Sequence, residues 1–306
     1  MNPVQVKGEV LSVKQVGAYL AMTVVASGIA EQTRPGQFVA VAVGGDDSSM
    51  LLRRAFSIHR VASRGVYGGT VEFVFAVNGK GTAWLADRDA RDPIDVVGPL
   101  GKPFALPKDP ANCVLVGGGY GAAPLFMLAD VLRRRGCRVD FVLGAASDDR
   151  LFGALDAKRM AASVAFTTED GSYGERGRVS DVLPEVIERV HADVVYACGP
   201  MAMLGAVYGI AAQSYGGAGI PTYVAVEEAM ACGVGVCMTC VLPVIGDDGQ
   251  TRMARSCVDG PVFAGDRIRW DALGTVPADA LGAAAMGDVA TGPVHVPVVV
   301  GGDVDG

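Results

Sequence analysis

NCVLVGGGYGAAPLFMLADVLRRRG, residues Asn112–Gly136, decides how the second part of this chain folds. It opens as a short apolar run, breaks into glycines, and resumes with Leu125, Leu128, Ala129 and Leu132 at i, i+3, i+4 and i+7. That spacing sets one apolar face on a helix, whereas the short run before the glycines suits a buried strand. Arg133, Arg134 and Arg135 fall in the last turn, where positive charge complements the free carbonyls, and Gly136 supplies a left-handed stop. Strand, glycine loop and helix together make the first half of a β-α-β unit.

The pattern repeats downstream. RVDFVLGAA (138–146), VAFTTED (164–170) and DVVYACGP (193–200) read as further strands. Between and after them lie a helix with Leu183, Val186, Ile187 and Val190 on one stripe, which Ser180 is placed to cap, and the helical stretch MAMLGAVYGIAAQSYG (201–216). Strands alternating with helices predict a parallel sheet covered on both faces, with ligands at the carboxyl ends of the strands. Upstream the texture differs. VQVKGEVLSV, YLAMTVVAS, QFVAVAV, RAFSIHRVA, TVEFVFAV and PIDVVGPLG are short, rich in β-branched residues and separated by Gly, Pro or Asp turns, which predicts a barrel or a sandwich.

With 306 residues, half of them hydrophobic, the chain has room for two domains and a small appendix. A net charge of −7 offers no basic stripe to neutralise phosphates and argues against a nucleic-acid partner. No apolar run reaches the roughly 18 residues of a membrane helix. The N-terminus alternates like a strand, without the layout of a signal peptide, so a cytoplasmic protein with no membrane association is expected.

Several segments carry chemistry. In VGGGYGAAP (Val116–Pro124), Gly118, Gly119 and Gly121 let backbone approach a ligand, and the following helix start offers free N–H groups to a phosphate. The spacing is not the usual G-x-G-x-x-G, so a purely structural turn stays open. ACGP (Ala197–Pro200) ends a strand that borders the same crevice; Cys198 lies over it or is a buried strand-end thiol. Glu169 and Asp170 end a third strand, where they would repel a 2′-phosphate and tolerate a free ribose, unless they belong to a solvated acidic loop. In the first domain, Arg54 of RRAFSI could hold a pyrophosphate, and VNGKGTAWL (Val77–Leu85) again leads from a glycine turn into a helix start.

Of seven cysteines, four crowd into residues 232–257. Cys113 and Cys137 read as buried small apolar side chains. The four are spaced Cys232-x4-Cys237-x2-Cys240-x16-Cys257, the pattern of plant-type [2Fe–2S] ligation. Gly233 and Gly235 suit a loop that needs positive φ and inward N–H groups. Zinc also takes four thiolates, but zinc sites pair cysteines in two knuckles, and only Cys237 and Cys240 form such a pair here.

A barrel with RAFS and GKGT followed by an α/β domain with GGGYGAAP and CGPM resembles the ferredoxin reductase superfamily. The resemblance implies that Arg54, Ala55, Phe56, Ser57, Val74, Phe75, Ala76, Gly81 and Thr82 contact FAD. It also implies that Gly118, Gly119, Gly121, Cys198, Gly199, Pro200 and Met201 face a nicotinamide nucleotide. The expected fold class is β plus α/β. It comprises an antiparallel β-barrel FAD domain (1–106), a doubly wound parallel-sheet nucleotide domain (107–222), a small [2Fe–2S] domain (223–270) and a low-complexity tail (271–306) read as mostly disordered.

The order of parts, with LLRRAFSI, DGSYGERG, ACGPMAM and CVDGPVF, is similar over about residues 4–270 to the electron-transfer subunits of two-subunit, NAD-linked dihydroorotate dehydrogenases. That resemblance implies an FMN-bearing catalytic partner in a heterotetramer with two of each subunit, in de novo pyrimidine biosynthesis. Electrons would run from the partner through the cluster and FAD to NAD⁺. In keeping with this, the chain shows no placed base of its own for oxidising a small organic acid, so no catalytic residue is assigned. The small flavin and iron–sulfur subunits of ferredoxin:NADP and sulfide oxidoreductases share the order of parts, but their first cluster ligand is often Asp. Cys232 therefore favours the dihydroorotate reading.

Overall fold

A computed structural model describes residues 2–45, 48–62 and 68–283. The first strands are β1 (Val4–Val16), β2 (Tyr19–Val25), β3 (Phe38–Val41), β4 (Arg54–Ala62), β5 (Thr70–Phe75) and β6 (Pro93–Leu100), with helix α1 (Lys80–Ala86) between the last two. They close into a barrel in the order β1-β2-β5-β4-β3-β6, every neighbouring pair antiparallel. Closure follows from the apolar alternation. Val10, Met22, Val24, Val39, Val71, Phe73 and Val96 are fully buried inside, and joining β1 to β6 leaves no unpaired edge.

The glycine-loop strand is β7 (Asn112–Gly118), and its helix is α2 (Ala123–Arg134). There follow β8 (Arg138–Ala145), α3 (Ala154–Met160), β9 (Ser163–Thr168), the two-residue β10 (Glu175–Arg176), α4 (Val179–Val190), β11 (Val194–Cys198), α5 (Met201–Gly217) and β12 (Thr222–Ala225). These strands form a parallel sheet in the order β10-β9-β8-β7-β11-β12. The order reverses between β7 and β11, so the crevice of this sheet opens where the glycine loop meets Cys198. Leu125, Leu128, Ala129 and Leu132 are all fully buried against it.

One local expectation is corrected. The cap of α4 is Arg178, not Ser180: Arg178 N–H donates to Asp181 Oδ2 at 2.7 Å, and Ser180 already lies inside the helix. Asp181, three residues past the cap, reaches back to the cap's own N–H, the return half of a capping box.

Beyond β12, a hairpin of β13 (Val241–Ile245) and β14 (Thr251–Arg255) stands apart, and β15 (Val262–Ala264) returns antiparallel beside β12. The cysteine segment is thus looped out between two neighbouring strands of the main sheet. Of the stretch read as a disordered tail, residues 271–283 are described and are tied down. Arg269 pairs with Asp271 and Asp279, and Leu281 N–H donates to Thr251 O at 2.8 Å. Residues 284–306 lie outside the described residues.

Barrel and sheet are joined at His59 on β4. Its Nδ1 lies 2.7 Å from the carbonyl of Ala123, which can only accept, so Nδ1 carries the hydrogen. The rings of Phe126 and Phe152 meet the imidazole edge-on, and Nε2 stands 3.6 Å from Glu72 Oε1. Burial, opposed by the Ala123 bond and Glu72, holds its pKa below the ordinary 6.5. The unfolded chain then binds more protons than the folded one below about that pH, so this contribution is complete above it and is lost as pH falls. His59→Gln is expected to lower the unfolding free energy by about 1–3 kcal/mol at pH 8. In denaturant titrations the gap to the unsubstituted chain should narrow toward pH 5, and a gap constant with pH contradicts the assignment.

Candidate functional site

A cavity of about 710 Å³ lies where the barrel faces the carboxyl ends of the parallel strands. The barrel contributes Ala55, Phe56 and Ser57 of β4, Val74 and Phe75 of β5, Ala76, and Thr82 of α1. The sheet contributes Gly118, Gly119 and Gly121 from the loop after β7, and Cys198, Gly199 and Pro200 after β11. Two motifs more than sixty residues apart are thereby brought to one crevice from each side of the seam.

Arg54, Gly81 and Met201 are not in the wall. Arg54 and Gly81 meet each other instead: a β-carbon on Gly81 would lie 2.8 Å from Arg54 Nε, so the guanidinium rests on the first turn of α1. Thr82 Oγ1 accepts the N–H groups of Asn78 and Gly79, which fixes that turn. Met201 opens α5 turned away, and Ala202 and Met203 line the cavity in its place. Sequence reading also missed Tyr19, Phe38, Tyr120 and Met230 in the wall. Tyr120 stood inside the quoted glycine motif and was legible as its one large side chain. Tyr19, whose ring lies 5.0 Å from that of Tyr120 across the seam, carried no local signal.

The loop glycines have a geometric purpose. Gly119 has φ +53°, and a β-carbon on Gly121 would lie 2.8 Å from Gly199 Cα. The two strand ends therefore touch backbone to backbone, and the crevice narrows to a mostly apolar slot with few polar groups, the character of a cofactor site. Burial, reinforced by the Glu227 carboxylate, pushes the Cys198 thiol up to about 12, so it is a neutral, apolar wall and not a thiolate. The acidic pair divides: Glu169 lines the cavity, while Asp170 accepts the N–H and hydroxyl of Ser172 within its own turn.

The four cysteines fall into two pairs, Cys232 with Cys237 and Cys240 with Cys257, each within hydrogen-bonding contact. Register explains the second. Val241 pairs with Arg255 in the β13–β14 hairpin, and Ser256 N–H donates to Cys240 O at 2.9 Å, which closes the sixteen-residue gap. Cys240 and Cys257 are buried against Phe38, Ala40 and Leu100 of the barrel, whereas Cys237 is exposed. Gly233, Gly235 and Met238 all have positive φ, and the N–H groups of Val234 and Val236 each lie 3.4 Å from Cys232 Sγ. Partial burial acts to raise the Cys232 thiol, but hydrogen bonds from the backbone of Cys237, Val234 and Val236 outweigh it and bring it down to about 6. Among the described residues, no three His, Cys, Asp or Glu side chains gather around one point. Two thiol pairs, one set among inward N–H groups, fit a two-iron cluster that takes two thiolates per iron better than a single tetrahedral zinc.

The model of the iron–sulfur cluster binding domain of dihydroorotate dehydrogenase B matches residues 227–269, which include all four cysteines. The electron transfer subunit of dihydroorotate dehydrogenase B (NAD(+)) from Geobacillus thermodenitrificans is 39% identical over 243 residues, covering 78% of this chain and 88% of that one. This chain belongs to that family. The corresponding subunit from Desulforamulus reducens is 35% identical over 243 residues, 79% of this chain and 89% of that one. Among solved structures, a chain of an NADH-dependent reduced ferredoxin–NADP oxidoreductase superimposes with a TM-score of 0.74 at 29% identity. It covers 87% of this chain and 91% of that one. The family's ferredoxin reductase-like fold agrees with the barrel, parallel sheet and cysteine segment described above.

The backbone contact across the crevice has a direct test. Gly121→Ala is expected to lower stability by about 1–3 kcal/mol, because backbone cannot yield as a side chain does. Gly79→Ala is the control: Gly79 has φ −178°, and a β-carbon there meets nothing within 4 Å. Equal thermal shifts in the two variants contradict the close approach.

Proposed function

We propose that this chain carries electrons from an FMN-bearing dihydroorotate dehydrogenase catalytic subunit to NAD⁺, in de novo pyrimidine biosynthesis, within a heterotetramer of two subunits of each kind. The observation that carries the reading is a shared wall. Phe38 lines the cavity on one side and packs against Cys240 and Cys257 on the other, so cluster segment and cavity are a single side chain apart. A bound flavin supplies the exchange between hydride pairs and single electrons that such a route needs.

The chain's own residues then divide the work. Cys232, Cys237, Cys240 and Cys257 hold the cluster. Ala55–Ser57 and Val74–Ala76 give the flavin ring its apolar seat. Arg54, held over Gly81, and the α1 start fixed by Thr82 hold its phosphates. Gly118, Gly119, Gly121 and the Cys198–Pro200 turn, with Ala202 and Met203, receive the nicotinamide nucleotide from the opposite side. Cys237 faces outward, and its neighbours Val234, Val236 and Met238 expose apolar side chains that suit a face covered by another subunit. Among the described residues no helix is long and apolar enough to cross a membrane.

The 29% identity to the ferredoxin–NADP oxidoreductase chain supports a second reading, in which ferredoxin replaces the dehydrogenase as partner. Co-purification decides between them: dihydroorotate-dependent NAD⁺ reduction by the recovered complex supports the first, and ferredoxin-dependent turnover without it supports the second. In the complex, Cys237→Ser is expected to cut dihydroorotate-linked NAD⁺ reduction by at least about a hundredfold while flavin stays bound. Unchanged turnover, or stoichiometric zinc without iron in the unsubstituted chain, contradicts the cluster assignment. Arg54→Ala is expected to leave much of the flavin behind on gel filtration, and full occupancy counts against Arg54 as the phosphate holder.

A further inference from the structure

We infer that Arg255 is a positioning residue for the cluster: its hold on the Gly235 carbonyl turns the Val236 N–H onto Cys232, and through that hydrogen bond it sets the reduction potential of the centre. The inference rests on the reading that the four cysteines hold a two-iron cluster.

The loop between Cys232 and Cys237 does not hold its own shape. Among the described residues, 233–237 make no backbone–backbone hydrogen bond, and Gly233 and Gly235 stand at φ +72° and +82°. Two glycines so close together leave a loop many conformations to choose from. Yet the N–H groups of Val234 and Val236 both reach Cys232 Sγ, and the Gly235 N–H bonds Cys257. Gly235 therefore sits between the two thiol pairs, and what fixes its orientation must come from outside the loop.

Arg255 supplies that constraint. It ends β14, just before Ser256 and Cys257, and its Nη1 donates to Gly235 O at 3.0 Å. The Gly235–Val236 peptide is trans, so its C=O and N–H point to opposite sides of one plane. A carbonyl drawn to the guanidinium commits the next N–H to the other side, where Cys232 Sγ stands 3.4 Å away. Asp259 aims the guanidinium in turn. Its Oδ2 accepts Arg255 Nε at 3.3 Å and the Arg255 backbone N–H at 2.9 Å, and the Asp259 N–H returns to Arg255 O at 2.8 Å. Val258 seats the same peptide from below: a β-carbon on Gly235 would lie 3.0 Å from Val258 Cγ1.

Both side chains of the Arg255–Asp259 pair are 38% exposed, so the ion pair itself adds little to stability. Its consequence is electrostatic. An iron–sulfur centre gains negative charge on reduction, so N–H groups aimed at its sulfurs favour the reduced form and raise the potential. Arg255 acts on that balance through one peptide plane, without touching a sulfur.

The test uses the flavin- and cluster-loaded chain in complex with its dehydrogenase partner. An EPR-monitored redox titration reads the potential. Pulsed EPR of the reduced cluster in H2O and D2O reads the exchangeable protons close to it. Arg255→Lys keeps the charge but replaces the rigid fork by a single ammonium on a flexible stem. It is expected to weaken one exchangeable-proton coupling. It should also shift the reduced-to-oxidised ratio at a fixed poise about tenfold toward oxidised, which is about 59 mV for a one-electron centre. Arg255→Met should shift both readouts at least as far; if it fails to load iron, the lysine variant decides alone. A proton coupling left unchanged in Arg255→Lys, or a potential that falls in Arg255→Met but not in Arg255→Lys, overturns the assignment, because charge alone then accounts for the effect. An unsubstituted complex that holds zinc without iron, or gives no cluster signal on reduction, overturns the cluster reading itself, and this assignment with it.

Discussion

Tyr19, Ala21 and Val74 belong to the barrel, yet they pack in one continuous apolar core with Leu115, Phe126 and Phe152 of the parallel-sheet half. Every functional feature of the chain hangs on that shared core. A closed barrel and a doubly wound sheet could each fold around its own interior. The cavity exists only because the seam holds the barrel wall opposite the carboxyl ends of the strands. Apolar contact is non-directional, so the angle of the seam is set by the polar contacts within it. His59 bonds the first residue of α2, Tyr196 Oη bonds Ala105 O, and Tyr19 Oη bonds Arg150 O, each linking segments more than sixty residues apart. These bonds are part-buried or buried, where leaving a partner unmet is costly, and they favour one docking angle over its neighbours.

The cysteine segment depends on the same seam. It leaves the sheet after β12 and returns as β15 at β12's side, so its two ends are pinned together by strand pairing. Loop closure is thereby provided by the sheet, and the segment needs little core of its own. What core it has is borrowed from the barrel, since Phe38, Ala40 and Leu100 cover Cys240 and Cys257. A segment that rests on the sheet at its ends and on the barrel at its centre reports any change in the seam directly to the cysteines.

Local patterning made much of this legible. Short β-branched runs between Gly, Pro or Asp turns marked all six barrel strands, and the stripes of α2 and α4 marked their buried faces, because helical periodicity follows directly from which side of an element meets the core. The glycine motif and CGP were placed at one crevice by the strand-end rule, which needs no knowledge of contacts. Two contacts escaped. Arg54 with Gly81 and Tyr19 opposite Tyr120 are long-range pairings whose partners leave no mark on each other's sequence, whereas the barrel was expected through the resemblance, strand spacing alone leaving barrel or sandwich open. Met201 was assigned to the wall where Met203 stands, because the direction of a helix's first turn cannot be read from a motif. The fourth cysteine was legible as a ligand, but not how it arrives. The hairpin that delivers Cys257 to Cys240 does carry a turn signature, Gly246–Gln250 with Gly249 at φ +77°, but the signature marks the turn and not which cysteines the paired strands bring together.

The exposed side of the cysteine segment has its own logic in a chain of net charge −7. Val234, Val236 and Met238 point outward around Cys237 because Gly233, Gly235 and Met238 adopt positive φ, which turns the N–H groups in toward Cys232 and the side chains out. The geometry that satisfies sulfur on the inside therefore exposes apolar surface on the outside. Leu51 and Leu52 extend this character on the barrel, just before Arg53, whose Nη1 reaches Ala40 O near the base of the same segment. Covering such a face with a partner subunit removes apolar surface from water and excludes solvent from the thiols in one step. Lower local polarity in turn shifts the potential of any centre held there. Docking and redox tuning are in that sense two consequences of one loop conformation, imposed by two glycines and a methionine.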